Sequence, residues 1–239
     1  MCHDSRVRGC LYAIGLGPGD PDLLTVRAVK ILKEADRIIV PKAIDKPSTA
    51  RDIVSRALGE ELPFQEMVFP MSRSLAKLRE QWEENARAVL SFLEEGEKVA
   101  FVTLGDVSLY STFSYLEQEL KKMASAICIE RIPGISSVQL AAVRFETDLA
   151  LGTGSYAVVP LPLSLDDLKG YLELHETLVI LKVGKRLHEL VDWLEKERLI
   201  EKASFIRRAG FPDERLCYSL KDLGEEESGY LSIVMIKRN

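Results

Sequence analysis

The sequence predicts an α/β protein of two domains. Three observations carry this. From Leu11 to Arg144 short apolar runs alternate with stretches of helical spacing, the βαβ rhythm of a mainly parallel sheet. Beyond Gly154 strands begin to follow one another without helices between them, which predicts a mixed sheet. Glycine-bearing turns follow three of the first-half strands, at the carboxyl ends where open α/β sheets bind ligands. The reading places an N-terminal domain at 1–134, a connecting helix and linker at 135–154, and a C-terminal domain at 155–239, with a cleft between the domains.

In order, Leu11–Leu16 reads as a first strand, followed by the loop Gly15-Leu-Gly-Pro-Gly-Asp20. Asp20 is a plausible helix cap with Pro21 at the first helical position, for a helix from Asp22 to about Glu34. Arg37–Val40 is a strand closed by Pro41, Ser48–Leu58 a short helix, Leu62–Phe69 a strand. Leu75–Glu95 is a long amphipathic helix with Leu78, Trp82, Ala86, Val89, Leu90 and Leu93 on its inner face, ended by Gly96. Val99–Leu104 is a central buried strand that breaks at Gly105-Asp106. Helical spacing resumes with Leu109, Phe113, Leu116 and Leu120, which puts Ser108, Ser111 and Thr112 in the first helical turn. Ala126–Ile132 is a fifth strand, ending in Pro133-Gly-Ile-Ser-Ser137 before a helix at Val138–Arg144. In the second half strands are expected at 155–160, 176–183, 203–207, 214–220 and 229–236, with helices at 166–174 and 184–197. Glu225–Glu227 reads as a solvated turn.

With 239 residues, 46% of them hydrophobic, the chain has a globular composition. The net charge of −5 and the lack of a basic block speak against nucleic acid as a partner. No apolar run is long enough to span a bilayer, and residues 1–9 lack a signal-peptide core, so the expectation is a cytoplasmic protein. Cysteines at 2, 10, 128 and 217 form no Cys-x-x-Cys pair and are expected reduced and unpaired, with Cys128 as a small buried hydrophobe. Cys2, His3 and Cys10 match no standard metal spacing, and no metal is expected.

The loop Gly15–Asp20 invites a dinucleotide reading, but Gly-x-Gly-x-Gly is one residue short of the fingerprint. Asp36 has the right offset yet precedes the second strand rather than ending it. There is no phosphate-loop lysine and no nucleophile elbow. What stands out is the turn at Gly105-Asp106, and beside it the serines Ser136 and Ser137 at a helix start, which suit a carboxylate or a ribose. A helix cap would use the same serines. With no catalytic triad or paired acids, the residues favour chemistry in which an activated small molecule supplies the driving force and the protein supplies placement.

Leu11–Thr25 resembles the N-terminal signature of the tetrapyrrole methylases, S-adenosylmethionine-dependent enzymes of corrin and sirohaem biosynthesis. Leu104-Gly-Asp-Val-Ser-Leu-Tyr110 is similar to their second signature, Pro133–Ser137 to the third, and Arg207–Glu214 to a weaker fourth. Val68-Phe-Pro-Met71 and Tyr110–Leu116 resemble one branch, the precorrin-2 C(20)-methyltransferases. The resemblance implies two α/β domains, S-adenosylmethionine in the cleft between them, a tetrapyrrole substrate and a homodimer. It implies that Leu104, Gly105, Asp106, Leu109, Ser111, Thr112, Ser136, Ser137, Val183 and Ala209 line the donor site, while Gly15, Gly17, Pro18, Gly19 and Asp20 face the substrate. Asp106 and Tyr110 are the candidates for removing the carbon-20 proton, with solvent as the alternative. Lys42, Arg73, Arg207 and Arg208 are candidate partners for substrate carboxylates. Where the family usually has proline after the central Gly-Asp this chain has Val107, which would loosen that turn. Methylation at another carbon, the modified histidine handled by diphthine synthase, and binding without turnover stay open as alternatives.

Overall fold

The computed structural model describes residues 7–44, 47–70, 74–224 and 227–238. Cys2, His3, Met71, Arg73 and Glu225-Glu226 lie outside them. The chain divides into two units, Met1–Ser136 and Ser137–Asn239.

The first unit opens with β1 (Cys10–Gly15). Asp20 caps a single 3-10 turn, Pro21–Leu23, with Pro21 at its start. The helix expected from Asp22 does not form in one piece. Leu24 is extended, Thr25 accepts a bond from the Ala28 amide, and α1 runs from that new cap (Val26–Glu34). A threonine side chain competing for helix-start amides is a strong local stop and restart. β2 (Arg37–Lys42) continues through Pro41. Pairing with the neighbour on one side ends at Ile39, and the Ile38 amide faces the other side, so the amide that Pro41 lacks belongs to an edge with no ladder. The elements α2 (Thr49–Leu58), β3 (Phe64–Val68), α3 (Leu75–Glu94) and β4 (Lys98–Thr103) follow much as their periodicity predicts. α4 (Phe113–Met123) begins later than expected, so Ser108, Leu109 and Ser111 lie in the turn before it, with Thr112 at the cap. β5 (Cys128–Ile132) completes the sheet.

All five strands pair in parallel, in the order β3-β2-β4-β1-β5. The connections from β1 and β2 run one way across the sheet and those from β3 and β4 the other. Right-handed crossovers then put α1 and α2 on one face and α3 with α4 on the opposite face, and α3 does pack against α4. Between them and the sheet lie Leu11, Val99, Phe101, Phe113 and Leu116, all fully buried. Phe101 meets Phe69 edge-on at 5.7 Å and Phe113 at 5.5 Å.

The cysteine expectation is overturned. Cys10 and Cys128 are register partners on neighbouring strands and form a disulfide, with Cys128 exposed rather than buried. Cys217 is free and half-buried.

The second unit contains α5 (Ser137–Arg144), β6 (Tyr156–Pro160), α6 (Asp167–Leu174), β7 (Thr177–Leu181), α7 (Leu187–Lys196), β8 (Ala203–Arg207), β9 (Arg215–Cys217) and β10 (Ser232–Lys237). Its sheet is mixed, in the order β6-β7-β10-β8-β9, with β10 antiparallel to both neighbours. On one face Leu178, Ile180, Phe205, Val234 and Ile236 pack under Leu168, Leu190 and Leu194. On the other, Phe145 and Thr147 after α5 line a cavity with Ser204, Met235 and Lys237. The Lys237 ammonium donates to Thr147 Oγ1 at 2.9 Å and to the Asp148 carbonyl at 2.8 Å. The segment after α5 is therefore built onto the second sheet.

Candidate functional site

Strands β4, β1 and β5 are neighbours, and each ends in a glycine turn. β1 and β4 send their chains in opposite directions, so their loops cross at the carboxyl edge. Where they cross, the Gly105 amide donates to the Gly17 carbonyl at 2.7 Å and the Gly17 amide to the Gly105 carbonyl at 3.2 Å. Both residues are left-handed, φ +76° and +73°. The third turn closes on the same point. A methyl group on Gly15 would lie 2.6 Å from the Gly134 nitrogen and 2.7 Å from the Gly105 oxygen. The three backbones touch, and only glycine permits that approach. This edge is the topological switch region of the sheet, where such folds bind ligands.

Asp106 holds the crossing together. One carboxylate oxygen accepts from the Ser108 amide at 2.8 Å and from the Ser108 hydroxyl; the other accepts from the Gly134 amide at 2.9 Å. Burial pushes its carboxyl up, but the bonds from Ser108, Gly134 and Val107 outweigh that and hold it below the usual carboxylate value. A carboxylate so engaged is a weak base. Val107 is 3% exposed and packs into the core of the first unit. Burial and the Asp106 bonds thus anchor the turn that a proline would otherwise stiffen.

Leu104, Leu109 and Thr112 are half-buried along this turn. A side chain at Gly105 would find no atom within 4 Å, so its backbone is bare on that side. Tyr110 is 47% exposed and left-handed at φ +52°, a conformation bulky residues hold only under constraint. Ser111 is buried, donates to Thr103 Oγ1 at 3.2 Å and accepts from the Phe113 amide at 3.1 Å, so it fixes the turn that leads into α4. Ser136 is buried and Ser137 half-buried where α5 starts. Gly15, Gly17, Pro18 and Gly19 are buried, while half-buried Asp20 accepts from the Asp22 amide at 3.0 Å. Gly134 lies in the glycine turn that the sequence places after the fifth strand, while Thr103 is not among the sequence's candidates. Thr103, inside an apolar strand, gave no signal.

In the second unit Val183 and Ala209 follow β7 and β8. β10 lies antiparallel between those strands, so both residues fall on one edge of the sheet. The Gly184 amide donates to the Gly229 carbonyl at 3.0 Å and the Arg208 amide to the Leu231 carbonyl at 2.9 Å, fastening that edge. Lys182, Arg208 and Leu231 are left-handed there, at φ +57°, +50° and +53°. Such conformations concentrate at binding sites. Val183 turns its side chain into the core and Ala209 is 6% exposed.

Of the candidate carboxylate partners, the three among the described residues each carry an acid already, and Arg73 lies outside them. Lys42 pairs with Glu66 at 2.6 Å, Arg207 with Glu227 at 2.9 Å and Arg208 with Asp213 at 2.7 Å. Among the described residues no three His, Cys, Asp or Glu side chains gather as a metal site, and no helix is long and apolar enough to cross a membrane.

Residues 10–223 match the family described as Tetrapyrrole (Corrin/Porphyrin) Methylases. The cobalt-precorrin-2 C(20)-methyltransferase of Salmonella typhimurium is 33% identical over 236 residues, 97% of this chain and 98% of the relative. A protein of Methanocaldococcus jannaschii named "Probable cobalt-precorrin-2 C(20)-methyltransferase" is 34% identical over 95% of this chain and 96% of its own. Among solved structures, the uroporphyrin-III C-methyl transferase of Thermus thermophilus complexed with S-adenosyl homocysteine superposes with a TM-score of 0.67 at 23% identity, covering 96% of this chain and 92% of that one. A family match across nearly all of the chain, and relatives above 30% identity along their whole length, lead to one conclusion: this chain belongs to the tetrapyrrole methylases.

Proposed function

We propose that this protein is an S-adenosylmethionine-dependent methyltransferase that methylates carbon 20 of precorrin-2, or of its cobalt-containing counterpart, in cobalamin biosynthesis. The observation that carries the reading is full-length likeness to cobalt-precorrin-2 C(20)-methyltransferases. The crossing of three glycine turns at the switch edge supports it, because bare backbone at Gly105 fits a donor that must approach closely.

The donor brings an electrophilic methyl group on a sulfonium sulfur. In this proposal Leu104, Gly105, Asp106, Leu109, Ser111, Thr112, Ser136, Ser137, Val183 and Ala209 bind it. Asp106 acts by bracketing the turns at Gly105 and Gly134, and Ser111 by fixing the start of α4. Val183 offers main chain, since its side chain is committed to the core. Gly15–Asp20 supports the substrate side. The protein's part is to align carbon 20 with the methyl group at an attack distance of roughly 3–3.5 Å. A methyl–carbon bond forms as the carbon–sulfur bond breaks, and carbon 20 then releases its proton. With its oxygens held by Ser108 and Gly134, Asp106 is a poor acceptor, so solvent takes the proton, and the exposed Tyr110 hydroxyl can only relay it by passing its own proton to water as it accepts. A homodimer working in the cytoplasm completes the proposal, on the family resemblance.

The test is an anaerobic incubation with methyl-labelled S-adenosylmethionine and either precorrin-2 or cobalt-factor II, with products read by mass spectrometry and NMR. Label at carbon 20 of one substrate is expected and identifies the route. Label at another carbon would overturn the branch; donor bound without transfer would overturn the enzyme reading.

A further inference from the structure

The turn after β8 is fastened from an unexpected side. Arg208 and Gly210 are both left-handed, φ +50° and +80°, and Ala209 sits between them. Arg208 lies over the Phe211 ring at 4.3 Å and donates to Asp213 at 2.7 Å. The Phe211 amide donates to the Arg208 carbonyl, and the Glu214 amide to the Phe211 carbonyl, each at 3.0 Å. Glu214 then folds its side chain back: Oε2 accepts from the Gly210 amide at 2.6 Å, while Oε1 pairs with Arg144 Nε at 2.8 Å. Arg144 is the last residue of α5, the helix that begins at Ser137. Its carbonyl also accepts from the Tyr218 hydroxyl at 3.4 Å. The Glu214 side chain is 17% exposed and that of Arg144 40%, so the pair is partly shielded from solvent.

We propose that Glu214 is a positioning residue for the methyl donor. It holds the Gly210 amide, which sets the backbone at Ala209, and it ties that turn to α5. The inference rests on the reading that Ala209 contacts the donor. Its physical basis is that Arg208, a non-glycine residue held at φ +50° next to Ala209, leaves the turn prone to relax unless something holds it. A bond from an amide to a carboxylate is short and roughly twice as strong as a neutral one. The same carboxylate coordinates two parts of the second unit's share of the proposed donor site.

The test uses the full chain, steady-state kinetics in both substrates and calorimetric titration with S-adenosyl homocysteine. Glu214→Ala is expected to raise the donor KM and the Kd for S-adenosyl homocysteine about tenfold, as loss of a charged-acceptor bond implies. Both kcat and the tetrapyrrole KM should stay within about twofold, the pattern of a lost binding interaction. Glu214→Gln keeps a carbonyl acceptor for Gly210 and should restore the donor KM to within about threefold of the starting protein. Ala209→Leu tests the underlying reading and should itself weaken S-adenosyl homocysteine. Unchanged affinity in Glu214→Ala alongside weakened binding in Ala209→Leu would overturn the role of Glu214 and leave the donor wall standing. Unchanged affinity in Ala209→Leu would overturn the wall and the Glu214 inference with it. If Glu214→Ala does not fold, Glu214→Asp replaces it: one methylene shorter, its carboxylate falls short of the Gly210 amide, so the variant should show the same rise, and a donor KM unchanged in Glu214→Asp would overturn the proposal.

Discussion

Gly15→Ala is the perturbation that tests the crossing of the three turns most directly. The added methyl would lie 2.6 Å from the Gly134 nitrogen, 2.7 Å from the Gly105 oxygen and 2.8 Å from the Gly134 Cα. All three are backbone atoms, so no side chain can swing aside. Restoring an ordinary contact near 3.4 Å needs about 0.8 Å of main-chain movement in a region packed to native density. That movement carries the Gly134 amide, now 2.9 Å from Asp106, to the limit of hydrogen bonding. Overpacking costs about 1–3 kcal/mol, and weakening a bond to a charged acceptor about 1.5–3 kcal/mol. The two overlap, and a loss of about 3 kcal/mol is expected. Gly170→Ala is the control. It lies in α6 with no atom within 4 Å of the new methyl, and should stabilise by about 0.5–1 kcal/mol. Urea unfolding followed by circular dichroism should show the Gly15→Ala midpoint lowered by about 1 M or more, with donor affinity lost in calorimetry. Gly170→Ala should raise the midpoint slightly and leave donor affinity unchanged. A Gly15→Ala protein with an unchanged midpoint and unchanged donor affinity would refute the packing argument.

Other consequences follow from single contacts. The Asp106 carboxyl lies below its unfolded value near 3.9, so its contribution is present above that pH and fades as pH falls through the folded value. Melts of the starting protein and Asp106→Asn should therefore differ by a constant amount above about pH 5 and converge below about pH 4; a gap that widens on acidification would contradict the assignment. Ser111→Ala removes the acceptor of the first amide of α4 and should cost about 1 kcal/mol in urea unfolding. Reduction of the Cys10–Cys128 bond opens a loop of 118 residues in the unfolded chain and should cost about 2–5 kcal/mol. Thiol titration of the denatured protein before and after reduction should differ by two groups.

Much of the fold was legible because its strands are fully buried runs and its helices keep a clear period. Val99–Leu104 and the Leu78–Leu93 stripe could be little else. The errors lie where a single polar side chain outvoted the pattern: Thr25 restarts a helix that Leu23 and Leu24 seemed to continue, and Ser111 delays α4 to Phe113. The glycine turns were each visible after their strands, but that Gly15, Gly105 and Gly134 touch depends on the order β4-β1-β5. Strand order is a long-range property that no local pattern carries. The disulfide was hidden for the same reason, since Cys10 and Cys128 become neighbours only through the β1–β5 register. Glu214 could be seen only as part of a resemblance; its two partners, four and seventy residues away, appear only when the chain is folded.

The polar groups at the crossing have a chemical consequence. Asp106 spends its oxygens on Ser108 and Gly134, Ser111 spends its hydroxyl on Thr103 and Phe113, and Glu214 is committed to Gly210 and Arg144. These side chains shape backbone more than they offer reactive atoms. That suits a reaction in which donor and acceptor already carry their own electrophile and nucleophile, where the gain comes from alignment. It also predicts how the site fails. Removing one side chain should loosen a turn and weaken donor binding while leaving the chemical step nearly intact. Forcing backbones apart, as at Gly15, should lower stability and abolish binding together. An enzyme that relied on a dedicated base would show the opposite ordering: one side chain would dominate kcat, and glycine substitutions would matter chiefly through stability.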